Sequence, residues 1–156
     1  MRAICFLVFA SCGVDQVSNG GFEIDCGGHP CDWTVVEGDG QLADGWHTGD
    51  PAVRMGAGHV VVEQRNTPVQ IPVRELVLKA AVACDADAQV HFELAWYQGG
   101  VLLDTRPVEV DQRGVFTLKK LVSTPTLAVD GLVLRVVKDG AGLAIVDEVS
   151  LEAYYP

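Results

Sequence analysis

Basic clusters are missing from this sequence. Its 11 Lys and Arg stand against 21 Asp and Glu, a formal net charge of −10, and no block of Lys or Arg occurs anywhere. That excludes a nucleic-acid footprint and charge-driven attraction to an anionic membrane surface. Long apolar runs are missing too. The run from Ala3 to Ala10 is far short of the roughly 20 residues a spanning helix needs. No internal repeat or low-complexity linker appears, so 156 residues are expected to form one domain. Aromatics are few, whereas glycine and valine are plentiful, a composition that favours sheet with tight turns.

Catalytic signatures are also lacking. Neither Gly-x-Ser-x-Gly nor His-Glu-x-x-His is present. The histidines are scattered without metal-ligand spacing, and no acid pair stands out as a hydrolytic dyad. Asp85-Ala86-Asp87 reads as a solvated turn. Gly38-x-Gly40-x-x-Ala43 fits a dinucleotide fingerprint only superficially, since turn residues from Asp44 to Pro51 follow it where a helix is required. The chain is not expected to be an enzyme.

What is present begins with an export signal. Met1-Arg2 is a thin positive start, Ala3 to Ala10 suits a signal-peptide apolar region, and Ser11-Cys12-Gly13 ends it. Phe9-Ala10-Ser11-Cys12 resembles a bacterial lipobox, with Phe in place of the commoner Leu; the resemblance implies lipidation at Cys12. Residues 1–12 are thus expected to be signal, 13–18 a short leader and 19–156 the domain. The expected location is a bacterial cell envelope, as a lipoprotein or secreted, with membrane contact only through the lipid.

Cys26 and Cys31 bracket Gly27-Gly28-His29-Pro30, a turn able to bring them within disulfide range. Export favours a disulfide. The alternative, a Cys-His-Cys zinc site, lacks a fourth ligand in the sequence. Cys84 is left over as a free thiol at a strand end.

Period-two alternation is clear from residue 74 onward. Leu76, Leu78, Ala80 and Val82 share one face, while Val90, Phe92, Leu94 and Trp96 lie opposite His91, Glu93 and Tyr97. Leu132, Leu134 and Val136 alternate with Arg135. Gln98-Gly99-Gly100 reads as a hairpin turn, Asp111 to Gly114 as another, and 52–55 with 58–64 as a hairpin around Gly56-Ala57-Gly58. Short strands separated by Gly, Asp and Pro argue for an all-β sandwich of antiparallel sheets.

The two ends carry a further signal: Ser18-Asn19-Gly20-Gly21-Phe22-Glu23 opens the domain and Ile145-Val146-Asp147-Glu148-Val149-Ser150-Leu151 closes it. Asn19-Gly20-Gly21 is a turn by its chemistry, Phe22 an apolar anchor, and Asp147 a carboxylate in an apolar strand. Together the ends resemble those of galactose-binding-like jelly-roll domains, among them many carbohydrate-binding modules. The resemblance implies a jelly-roll β-sandwich, terminal strands side by side, and a structural calcium ion (Ca2+) on Glu23 and Asp147 with backbone carbonyls. Two solvated acids are the alternative.

The same resemblance implies a glycan ligand, held on a sheet face or at a loop edge. Trp33, Trp46 and Tyr97 are the candidate platforms, with His91, Glu93 and Arg135 as polar neighbours; Trp33 reads equally well as a core residue, and Trp96 is assigned to the core. The expected function is an exported, non-catalytic binding module for a glycan or polysaccharide. The alternative is a structural or adhesive envelope lipoprotein with a protein partner.

Overall fold

The computed structural model describes residues 14–44, 51–66, 75–109, 115–121 (backbone only) and 129–155. Cys12, Trp46 and the expected turn at Asp111 to Gly114 lie outside the described residues. Eleven strands appear among them: β1 (Val14–Asp15), β2 (Thr34–Glu37), β3 (Gly40–Asp44), β4 (Pro51–Met55), β5 (Val60–Asn66), β6 (Glu75–Cys84), β7 (Ala88–Gln98), β8 (Val101–Glu109), β9 (Val115–Leu121), β10 (Gly131–Gly140) and β11 (Ala144–Tyr154). One sheet has the order β3-β4-β11-β6-β9 with β1 added on β11; the other has the order β2-β5-β10-β7-β8. Every pairing is antiparallel. No helix among the described residues is long and apolar enough to cross a membrane.

The core is the space between the sheets. Alternate residues of β6 (Leu76, Leu78, Ala80, Val82), β7 (Val90, Phe92, Leu94, Trp96) and β10 (Leu132, Leu134, Val136) form one buried cluster with β11 residues Ala144 and Val146 before its register shift and Val149, Leu151 and Ala153 from it onward. These are the alternations the sequence displays, because a strand with one buried face must place every second side chain inward.

The opening stretch is clamped from three sides. Val149 N–H donates to the Gly20 carbonyl at 2.9 Å, which docks the turn on β11 at a register shift between Asp147 and Ser150. Gln64 grips Ser18 with both ends of its amide: Ser18 N–H donates to Oε1 at 2.9 Å and Nε2 donates to the Ser18 carbonyl at 2.6 Å. Asn19, at φ 48°, bonds Ile24 N–H and the carbonyls of Ile24 and Cys31 through its side chain. Its own carbonyl accepts from Phe22 N–H and the Trp33 indole. The leader joins the sheet, since Val14 and Asp15 pair with Ala153 and Glu152.

Cys26 and Cys31 form the expected disulfide, Cα to Cα 5.0 Å. Cys84 is a free cysteine, partly buried against the core.

The expected hairpin at 52–64 is corrected. β4 belongs to the first sheet and β5 to the second, so Gly56-Ala57-Gly58 is a corner between layers. A buried lysine fastens that corner. The Lys138 ammonium, at the inner end of β10, donates to the carbonyls of Gly140 at 2.6 Å, Gly56 at 2.7 Å and Gly58 at 3.2 Å. Burying an ammonium costs several kcal/mol, and charge-assisted bonds of about 1.5–3 kcal/mol each offset that cost. A turn that changes sheets has the same Gly-rich composition as one that reverses within a sheet, which is why sequence misassigns it.

Candidate functional site

The outward side chains of the second sheet converge into a polar trough. On β7 these are His91, Glu93, Ala95 and Tyr97; register sets them beside Val137, Arg135, Val133 and Gly131 of β10, and β10 in turn sets Val137, Arg135 and Val133 beside Val61, Glu63 and Arg65 of β5. The small residues of this face are screened by their larger neighbours: Val61, Val133, Val137 and Ala95 are buried although they lie outside the core cluster. They floor the trough, and the charged and aromatic residues rise from it.

Glu63 is the centre of the face. Only 5% exposed, its carboxylate accepts from Arg65 Nε on Oε1 and from Arg135 Nε on Oε2, both at 3.0 Å. Arg135 Nη1 lies 3.8 Å from Glu93, and His91 Nε2 lies 3.5 Å from the other Glu93 oxygen. A carboxylate this buried needs such partners.

Tyr97, His91, Glu93 and Arg135 were expected as ligand contacts, and the fold brings all four to one face. Trp33 is corrected as a platform. It is 3% exposed, packs on Phe22 with ring centroids 5.2 Å apart and donates its indole N–H to Asn19, so neither ring face is open to a sugar. Trp46 is outside the described residues. Glu63 and Arg65 were missed, although Val61, Glu63 and Arg65 at spacing two were the available signal. Beyond Tyr97 a pocket of about 210 Å³ opens, lined among others by Arg65, Tyr97, Gly100, Asp130 and Val133.

The turn bearing Glu23 docks on the part of β11 that carries Asp147. Glu23 is exposed and its side chain folds over Gly21, 3.8 Å from where a β-carbon would be. Asp147 is 0% exposed, and its Oδ1 accepts from Glu148 N–H at 2.8 Å. Among the described residues no three His, Cys, Asp or Glu side chains gather to hold a metal ion. Any cation there would draw mainly on backbone oxygens.

Similar solved structures share this architecture. The enzymatically active domain of tailspike protein 4 from bacteriophage CBA120 superposes with a TM-score of 0.67 at 15% identity, over 89% of this chain and 21% of that one. The CBM22-1 xylan-binding domain from Paenibacillus barcinonensis gives 0.64 at 18% identity, over 94% and 99% of the two chains. TmCBM61, solved with β-1,4-galactotriose, gives 0.60 at 17% identity, over 88% and 97%. This chain thus spans about a fifth of the tailspike chain and nearly all of the two modules. At these identities the likeness establishes the fold, the two-sheet β-sandwich of such modules. No protein-family model matches the sequence, and no curated protein matches it.

At the far end of the same face, His59 Nδ1 pairs with Asp139 Oδ1 at 2.7 Å, and Nε2 lies 3.8 Å from Glu37. The Asp139 hydrogen bond raises the His59 pKa above its ordinary 6.5, with burial opposing it and the Asp139 and Glu37 charges adding to it. A raised folded-state value means the stabilisation is complete below about pH 6.5 and vanishes as pH rises through the raised value. An NMR titration should therefore place the His59 midpoint above 6.5, and Asp139→Asn should return it toward the ordinary range. The melting-temperature gap between parent and variant should narrow from about pH 6 to pH 8; a midpoint at or below the ordinary value, or a constant gap, contradicts the pairing.

Proposed function

We propose that this protein is an exported, non-catalytic carbohydrate-binding module and that the trough is its glycan surface. The observation that carries the reading is the convergence of Tyr97, Arg135, Glu93, His91, Glu63 and Arg65 on one outward sheet face. A sugar offers apolar C–H faces and hydroxyls that both donate and accept. Tyr97 supplies the ring, the carboxylates accept, and the guanidiniums donate. Two solved structures of this fold, a xylan-binding domain and a module in complex with β-1,4-galactotriose, support the ligand class. A screen against soluble glycans and insoluble polysaccharides should give saturable binding, and Tyr97→Ala should weaken it at least about tenfold, or about 1.4 kcal/mol. Full binding in that variant, or none to any saccharide, rejects the reading.

Adhesion to another protein is the second reading. It is favoured by Val101, Leu102 and Leu103, which are 65%, 50% and 37% exposed on the edge strand β8. Stoichiometric capture of one envelope protein, lost on Leu102→Lys, would support it in place of the first. The lipid tether at Cys12 belongs to both readings. Mass spectrometry of the native N-terminus checks it: a diacylglyceryl cysteine supports the tether and an unmodified Cys12 removes it.

We also propose calcium at the docked opening turn, with Glu23, Asp147 and backbone carbonyls as ligands. An all-oxygen donor set suits this ion, which would staple the opening turn to β11. Calcium at 100 times its Kd would add about 2.7 kcal/mol, or several degrees at roughly 2–4 °C per kcal/mol for a domain of this size. Chelation should lower the melting temperature accordingly, and calcium but not magnesium should restore it, the response disappearing in Glu23→Gln and Asp147→Asn. A melt indifferent to chelator, with no metal co-purifying, leaves both as ordinary carboxylates.

A further inference from the structure

The pocket at the Tyr97 end differs in kind from the rest of the trough. Gly100 of the β7–β8 turn borders it, and that turn is fastened in place: Asp130 N–H donates to the Tyr97 carbonyl at 3.0 Å, and Gly99 N–H donates to Asp130 Oδ2 at 2.7 Å. Those bonds hold one carboxylate oxygen and leave Asp130 Oδ1 without a hydrogen bond among the described residues. Arg65 stands on another wall. Its Nε is held by Glu63, its side chain is 76% exposed, and its terminal nitrogens make no hydrogen bond among the described residues. The pocket thus presents a fixed carboxylate oxygen, an unspent guanidinium fork, the Tyr97 ring and the apolar Val133 side chain.

We propose that this pocket takes the terminal residue of a neutral glycan, with Arg65 and Asp130 gripping its hydroxyls. The inference rests on the glycan reading of the trough and narrows it. Size argues for a single ring: at about 210 Å³ the cavity falls below the roughly 300–1,000 Å³ of clefts that take drug-sized ligands, which suits one sugar and not a run of them. The fastened turn at its border argues for a chain end, because a polymer running along β7 meets the Gly99-Gly100 hairpin there. Charge argues for a neutral sugar. Arg65 already shares Glu63, so an acidic sugar would bring a third carboxylate beside Asp130 and Glu63 on a chain of net charge −10. A guanidinium and a carboxylate facing one ring instead match hydroxyls, which accept from the first and donate to the second.

Calorimetry of the intact chain with xylose, galactose and glucose, their oligomers to four units, and glucuronic and galacturonic acids tests the proposal. The expected result is a neutral monosaccharide that binds within about threefold of its own oligomers. Binding should change less than about twofold between low and high salt, since no net charge is exchanged. Arg65→Met and Asp130→Asn should each weaken it at least about tenfold. Asp130→Asn should melt normally, because Asn retains an acceptor for Gly99 N–H, and Arg65→Met, which costs Glu63 one of its two guanidiniums, is assayed well below its own melting temperature. Affinity that climbs tenfold or more with chain length and ignores both variants overturns the terminal pocket while leaving the glycan surface standing. Preference for the uronic acids overturns the neutral ligand. Silence from every saccharide removes the glycan reading itself and this inference with it.

Discussion

A β-carbon on Gly20 would lie 1.8 Å from the carbonyl oxygen of Val149. That contact leaves room for glycine alone, and through it the opening turn sits flat on β11. Gly20 and Val149 also share a backbone hydrogen bond, and Ser18 two residues earlier is held by the Gln64 amide on β5. One short turn therefore ties a strand of the first sheet to a strand of the second. From Asn19 the same turn positions Trp33 and the disulfide loop. Strand geometry completes the link to function: with Gln64 drawn inward, Glu63 and Arg65 on either side of it must face outward into the trough.

The trough is stable because its charges are closed on one another. Exposed ion pairs contribute about 0–1 kcal/mol, but Glu63 is nearly buried, and removing either guanidinium would leave it short of a partner it needs. The arrangement fixes the side chains before any ligand arrives, so less ordering entropy is lost on binding. Polar groups that are both ordered and mutually neutral suit an uncharged, hydroxyl-rich ligand better than an ionic one.

The alternation of β7 and β10 made the trough half legible from sequence. His91, Glu93 and Tyr97 against Val90, Phe92 and Leu94 could be assigned to faces without coordinates, and so could Arg135. The Cys26–Cys31 bridge was equally readable, from the spacing and from the expectation of an export signal. β5 was not, because Val60-Val61-Val62 is apolar on both faces: one faces the core cluster and the other the trough floor, and only sheet pairing separates them. Lys138 takes the next inward position after Leu132, Leu134 and Val136, but its burial depends on the carbonyls of Gly56, Gly58 and Gly140, which no local pattern reveals. Trp33 reads as platform or core with equal ease, and only the Phe22 contact decides. The pocket depends on Asp130 meeting Gly99 across 31 residues, which no local pattern encodes.

The central claim is that ligand lies on the outward face of β5, β10 and β7. Amide chemical-shift mapping of the labelled protein, titrated with the best-binding oligosaccharide of a glycan screen, tests it most directly. The account predicts that the largest shifts fall on Glu63, Arg65, Glu93, Tyr97, Gly131 and Arg135, with the core-facing amides of β6 and β11 unmoved. Shifts concentrated on the disulfide loop from Cys26 to Cys31, or on the outward face of β6 and β11, would contradict it.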